Sequence, residues 1–201
     1  MKKEVYLKII IHLGSLLPLV YLYSLALTDQ LGADPVEEVI HFTGIGAFNL
    51  LLLSLCASPL SKTFKQNIFI KVRRLLGLYA FTYALCHLSN FILLDLQLDW
   101  SLFFSEVFKR PYISIGMIAF TILLALAITS IPSLKRVMGK SWHKLHKSVY
   151  FAVLLVGIHY YWSVKSSLIS PVLYLIMVLI LLSFRYKKKL GKSFKSKSKS
   201  K

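Results

Sequence analysis

Pro111-Tyr-Ile-Ser-Ile-Gly-Met-Ile-Ala-Phe-Thr-Ile-Leu-Leu-Ala-Leu-Ala-Ile-Thr-Ser-Ile131 contains no charged side chain. A helix of about 20 apolar residues is long enough to cross the hydrocarbon core of a bilayer, so this stretch reads as a membrane span. Outward from it, five more stretches of the same kind can be marked: 8–27, 40–59, 75–94, 149–165 and 168–184. A chain of 201 residues with 56% hydrophobic content and short linkers has room for one bundle. The expected fold is therefore all-α: a polytopic membrane helix bundle with six transmembrane helices over residues 1–185. The segment 186–201 alternates Lys and Ser and reads as a basic, disordered cytoplasmic tail suited to anionic lipid headgroups.

The charges orient this bundle. With the N-terminus inside, 22 Lys and Arg fall on the inner side and only Lys109, Arg110 and Lys165 on the outer side. Seven of the eight acidic residues fall outside: Asp29, Asp34, Glu37, Glu38, Asp95, Asp99 and Glu106. The excess of Lys and Arg marks the cytoplasmic face, so both termini are expected in the cytoplasm. The net charge of +17 does not point to nucleic acid, because the basic residues flank apolar spans and form no interleaved basic-aromatic face. The first span also has a basic start and a Ser24-Leu25-Ala26 triplet like a signal-peptide cleavage site, but its apolar run is longer than such a segment needs. Cys56 and Cys86 both lie inside spans and read as small buried apolar residues. No CxxC or CxxCH occurs, which leaves out covalent haem attachment and zinc-finger spacing.

Prolines punctuate the spans. Pro59 and Pro132 sit where spans two and four end, Pro111 and Pro171 at span starts, and Pro18 inside span one, where a kink is expected. No internal repeat is visible. The outer loops 28–39 and 95–110 are polar and acidic, and the second carries Trp100 as an interfacial anchor.

Histidine is the informative residue type. Imidazole is costly in hydrocarbon unless it has a partner, so an intramembrane histidine marks a functional site. His87 and His159 stand in the outer halves of spans three and five, at matching depth on different helices. That placement suits two imidazoles clamping one haem from opposite faces. Gly77 and Gly157 are small residues that would let a flat macrocycle or a neighbouring helix approach. His146 lies at the inner edge, 13 residues before His159. That spacing puts it about 20 Å away along a helix and roughly 140° around it, so a one-face stack of two haems needs a bend or bulge there. Arg73 and Arg74 occupy the inner end of span three and could pair with haem propionates or a phosphate. His12, His41 and His143 read as ordinary interfacial or hydrogen-bonded histidines.

The ordered set Gly32-Ala-Asp-Pro-Val36, His41-Phe-Thr-Gly44, Arg73-Arg-Leu-Leu-Gly77, His87-Leu, Arg110-Pro-Tyr112, Leu126-Ala-Ile-Thr-Ser130, Trp142-His-Lys-Leu-His146 and His159-Tyr-Tyr-Trp162 resembles the MsrQ (YedZ) family. These are haem-binding membrane subunits of the bacterial periplasmic methionine sulfoxide reductase system, within the wider ferric-reductase-like transmembrane group. The likeness covers residues 8–185 in order. It implies six spans in the bacterial inner membrane and b-type haem, one or two per chain. It implies electron delivery to a periplasmic molybdopterin-containing methionine sulfoxide reductase. The donor would be quinol or a cytosolic flavin reductase, with FMN as a further cofactor for which no motif marks a site. Carried over residue by residue, His87 and His159 match haem-ligand positions, and His146 matches a histidine tied to a second haem. Two departures stand out: arginine occupies the inner span-three position where the wider group has histidine, and His143 stands where Gln or Arg is usual.

The residues speak against two other functions. A transporter or proton relay using the histidines without haem should show acidic partners inside the spans, and no acidic residue lies in a central span. A self-contained ferric reductase would need a fused flavin and nicotinamide domain, for which no sequence remains after span six. The chain itself is expected to lack methionine sulfoxide reductase activity and to act as an electron-transfer subunit.

Overall fold

The computed structural model describes residues 2–164 and 168–198; the side chains of 185–198, and the outer-loop Lys165, lie outside the described residues. Every regular element among them is helical. That follows from the solvent: with no water to satisfy backbone N–H and C=O groups, a lipid-embedded chain must bond them within each segment. The elements are α1 (Lys2–Leu27), α2 (Pro35–Thr63), α3 (Ile68–Asn90) with a π-helical turn at Phe91–Asp95, α4 (Trp100–Lys109), α5 (Pro111–Ile128), α6 (Pro132–Met138), α7 (Lys140–Leu145), α8 (Val149–Ser163) and α9 (Ile169–Ser198).

Four stretches, Lys2–Leu27, Pro35–Thr63, Ile68–Asp95 and Pro111–Ile128, are long and apolar enough to cross a membrane. The protein is thus a multi-pass membrane protein. The fifth and sixth apolar stretches form the 15-residue α8 and the shorter apolar segment Ile169–Phe184. Helical backbone continues in α9 to Ser198, beyond Arg185, where the sequence suggests that structure gives way to a tail.

Local chemistry sets the helix ends. Asp34 caps α2 by accepting the Glu37 N–H at 2.9 Å, with Pro35 at the first helical position, where a missing N–H costs nothing. Glu37 and Glu38 then lie at the positive end of the helix dipole. Pro111 starts α5 in the same way. Pro59 does not end α2, which runs four residues further to Thr63. The loop expected at 95–110 instead folds into α4, capped by Asp99 on the Leu102 N–H at 2.9 Å.

The core lies where α2, α3, α5, α8 and α9 meet. Phe48, Leu51, Leu52 and Leu55 pack there against Ala80, Leu123, Leu126, Ala152, Val153 and Val178. Gly157, buried in α8, allows α9 to approach: a Cβ there would lie 2.7 Å from Leu175 Cδ2.

Helix α1 stands outside this core and runs parallel to α3. Its polar contacts share one register: Glu4 to Lys71 at 2.7 Å, His12 Nδ1 to Tyr79 Oη at 2.5 Å, and Tyr23 Oη to Asn90 Oδ1 at 3.0 Å, each 67 residues apart. Tyr83 Oη adds a bond to the Ser15 carbonyl at 2.6 Å. Such interhelical bonds contribute about 0.6 kcal/mol each in a membrane. Their constant offset fixes the register of a helix that buries little apolar surface.

Candidate functional site

His87 on α3 and His159 on α8 come together as the matched-depth reading requires. Their ring centres are 6.1 Å apart and their planes meet at 82°. Each ring is held by the helix next to its own. His87 Nδ1 bonds the Ile40 carbonyl of α2 at 2.8 Å, and His159 Nδ1 bonds the Tyr112 carbonyl of α5 at 2.7 Å. A carbonyl only accepts, so Nδ1 carries the proton in both rings. The lone pair is left on Nε2. Among the described residues, neither Nε2 takes a hydrogen bond.

Each ring also lies against a glycine. A Cβ on Gly44 would sit 3.0 Å from the Nδ1 and Cε1 of His87, and one on Gly116 would sit 2.8 Å from the Nδ1 of His159. Gly77 and Gly157, the small residues singled out in the sequence, touch neither ring: Gly77 faces Ser54 and Gly157 faces Leu175. Aromatic rings stand near the pair. Tyr112 stands 6.2 Å from His159 between ring centres. His41 is exposed and stands 6.3 Å from Tyr160.

This arrangement fits an axial haem clamp. Two imidazoles bound to one metal at the usual distance of about 2.0 Å have ring centres about 6 Å apart. Metal-ligating histidines commonly donate the other ring N–H to a carbonyl, as both do here. Among the described residues no group of three or more His, Cys, Asp or Glu could hold a bare metal ion. Two axial donors suffice only when a macrocycle supplies the remaining ligands.

His146 belongs to a different place. It caps α7, and the turn 146–148 separates α7 from α8, so His146 and His159 do not share one continuous helix. Its Nε2 lies 3.1 Å from Thr129 Oγ1, and its ring stacks on Trp142 at 3.8 Å. Trp142 in turn donates its indole N–H to the Thr129 carbonyl at 2.8 Å and carries Lys135 Nζ 4.7 Å above its ring. Burial pushes the His146 imidazole below its ordinary value, and the charges of Arg73, Lys135 and His143 push the same way. Arg73 is thus close enough to act on His146. It is half-buried, and its carbonyl accepts the Ser54 hydroxyl at 3.1 Å; Arg74 is exposed.

The family description "Ferric reductase like transmembrane component" matches residues 43–157, a span that holds His87 and His146 and ends two residues before His159. The chain is therefore a member of the ferric-reductase-like transmembrane family. Within that family it is similar to proteins named protein-methionine-sulfoxide reductase heme-binding subunit MsrQ. The relative from Klebsiella pneumoniae subsp. pneumoniae is 44% identical over 93% of this chain and 93% of its own length. That from Cronobacter sakazakii is 44% identical over 93% and 94%, and that from Pectobacterium carotovorum 45% identical over 90% and 92%. The chain belongs to the MsrQ family. No solved structure matches it.

Proposed function

We propose that this protein is the membrane electron-transfer subunit of a methionine sulfoxide reductase system, with His87 and His159 as the axial ligands of one b-type haem. The observation that carries the reading is the pair of imidazoles 6.1 Å apart, each with Nδ1 committed to a backbone carbonyl. Haem held there would supply one-electron chemistry between its ferric and ferrous states. The chain's own residues do the rest. The two carbonyls fix tautomer and ring orientation. The flanking helices keep water from the rings, so the site stays in a low dielectric.

In this reading six helices cross the bacterial inner membrane, α8 and the apolar part of α9 among them, with both termini cytoplasmic. The acidic outer loops then face the periplasm, where a molybdopterin-containing reductase docks and takes electrons to reduce methionine sulfoxide in other proteins. The inner site around His146, Arg73 and Arg74 faces the electron source, quinol or a cytosolic flavin reductase. It is the place for a second haem or for FMN, whose phosphate the basic residues suit. Residues 1–185 form the membrane domain in this reading, and 186–201 a basic cytoplasmic tail on the lipid surface.

Stopped-flow mixing tests the assignment. The detergent-solubilised protein, reduced beforehand, is mixed with the oxidised molybdopterin reductase. Reoxidation within seconds is expected. A spectrum unchanged over many minutes, with the partner active, would remove the physiological role and leave haem binding standing.

A further inference from the structure

The two halves of the site repeat one another residue for residue. Ile40 and Tyr112 supply the carbonyls, Gly44 and Gly116 the open faces, His87 and His159 the rings, and each pair is 72 residues apart. Carbonyl and histidine are separated by 47 residues in both copies. The same offset superposes Ala47 on Ala119, Phe48 on Phe120, Leu51 on Leu123 and Ala80 on Ala152. A repeat therefore exists where the sequence alone showed none. It is carried by the hairpin α2–α3 and by α5 with α8. It lapses at the inner end, where Arg74 stands at the position of His146.

The glycine has a physical role in each copy. In an α-helix the carbonyl of residue i already accepts the N–H of residue i+4. Any side chain at i+4 flanks that oxygen and obstructs a second donor. Glycine at i+4 leaves the oxygen open, and an imidazole from the neighbouring helix fills the space. A methyl group would arrive 3.0 Å from His87 at position 44 and 2.8 Å from His159 at position 116. One of these is at the limit of real Cβ contacts and the other inside it. The ring, which can turn about its two side-chain torsions at the expense of its bond to the carbonyl, is the part that must move.

We propose that Gly44 and Gly116 are positioning residues for the haem: each lets a helix carbonyl grip Nδ1 of one axial histidine and so sets the angle of that ring. The inference rests on the haem reading above, and goes beyond it by assigning the orientation of each imidazole to a glycine on the neighbouring helix. Removing an outer-shell partner of a ligating histidine weakens binding about 10–100-fold. Gly116→Ala should therefore weaken haem binding by about tenfold or more, and Gly44→Ala, with its looser contact, by less.

The test is made on the full-length protein in detergent, with haem titration, electron paramagnetic resonance and circular dichroism on each variant. Gly14→Ala and Gly46→Ala are the controls. The first would meet nothing within 4 Å, while the second would strike Tyr83 and no imidazole. Helical Gly116→Ala and Gly44→Ala proteins should bind haem more weakly, and the haem they keep should show altered low-spin g values. Gly46→Ala should melt earlier with wild-type g values, and Gly14→Ala should change nothing. Wild-type affinity and wild-type g values in both site variants would overturn the proposal. So would loss of helix in both variants, since the glycines would then serve packing alone. A wild-type protein without haem would instead overturn the haem reading itself.

Discussion

The outer and inner histidines differ in what the protein has already done with them. At the outer site two imidazoles each give Nδ1 to a carbonyl and, among the described residues, keep Nε2 without a partner, with their ring centres 6.1 Å apart. At the inner site His146 has Nε2 beside Thr129 Oγ1 and one ring face on Trp142. The first pair is arranged for something the chain does not itself supply. The second is integrated into a polar cluster that also closes the break between α7 and α8. Depth in the membrane does not decide whether a histidine is ready to ligate; the partner of its second nitrogen does.

The largest effect that would break this comparison is ligand loss at the outer site. His87→Ala or His159→Ala should each remove most of the bound haem, measured as haem per protein after purification, because either change removes half of the clamp. Full occupancy in either variant would mean that the two sites do not differ as described. His146→Ala should remove a smaller and separate fraction, and equal losses at the two sites would erase the distinction.

A pH titration sharpens the inner half. The folded-state value of His146 lies below its ordinary 6.5, chiefly through burial. Between the lowered value and 6.5 the unfolded chain binds more protons, so this group's contribution to stability is present above that window and declines as pH falls through it. Trp142 fluorescence in the apo-protein should report loosening of the stack on acidification below about 6.5, and His146→Gln should flatten the response. A wild-type profile as flat as that of the variant would contradict the cause given for the shift.

The smallest effect concerns docking. Acidic residues Asp95, Asp99 and Glu106 lie in the segment that joins α3 to α5. Electron transfer to a partner with a basic face should slow by about an order of magnitude as salt rises, through the encounter rate. Asp99→Asn is a poor probe, because Asp99 also caps α4. Glu38→Gln is the better choice, since among the described residues that carboxylate bonds only the loop N–H of Gly32, at 3.1 Å.

Much of this was legible in the sequence, because lipid imposes long apolar runs and histidine depth can be counted along them. The break at 146–148 was not legible in this way, since the 13-residue spacing of His146 and His159 asks for a bend only if two haems stack on one face. The glycines were not legible. Gly77 and Gly157 lie in the same helices as His87 and His159, whereas the two that touch imidazoles, Gly44 and Gly116, lie on the partner helices. Only the packing of α3 on α2 and of α8 on α5 brings them to the rings. The 72-residue repeat was hidden for the same reason, since most of its equivalent positions differ in residue type. Helix α4 was missed because its Trp100, Phe104 and Phe108 stripe lies in a segment that its charges mark as a loop.

The central claim is that the α3 and α8 imidazoles jointly hold one haem. The most direct measurement is the reduced-minus-oxidised visible spectrum of the purified wild-type protein beside His87→Ala and His159→Ala. A low-spin b-type spectrum in the wild type that nearly vanishes in both variants is the predicted result. A colourless wild-type protein from haem-replete cells, or an undiminished spectrum in His87→Ala, would contradict it.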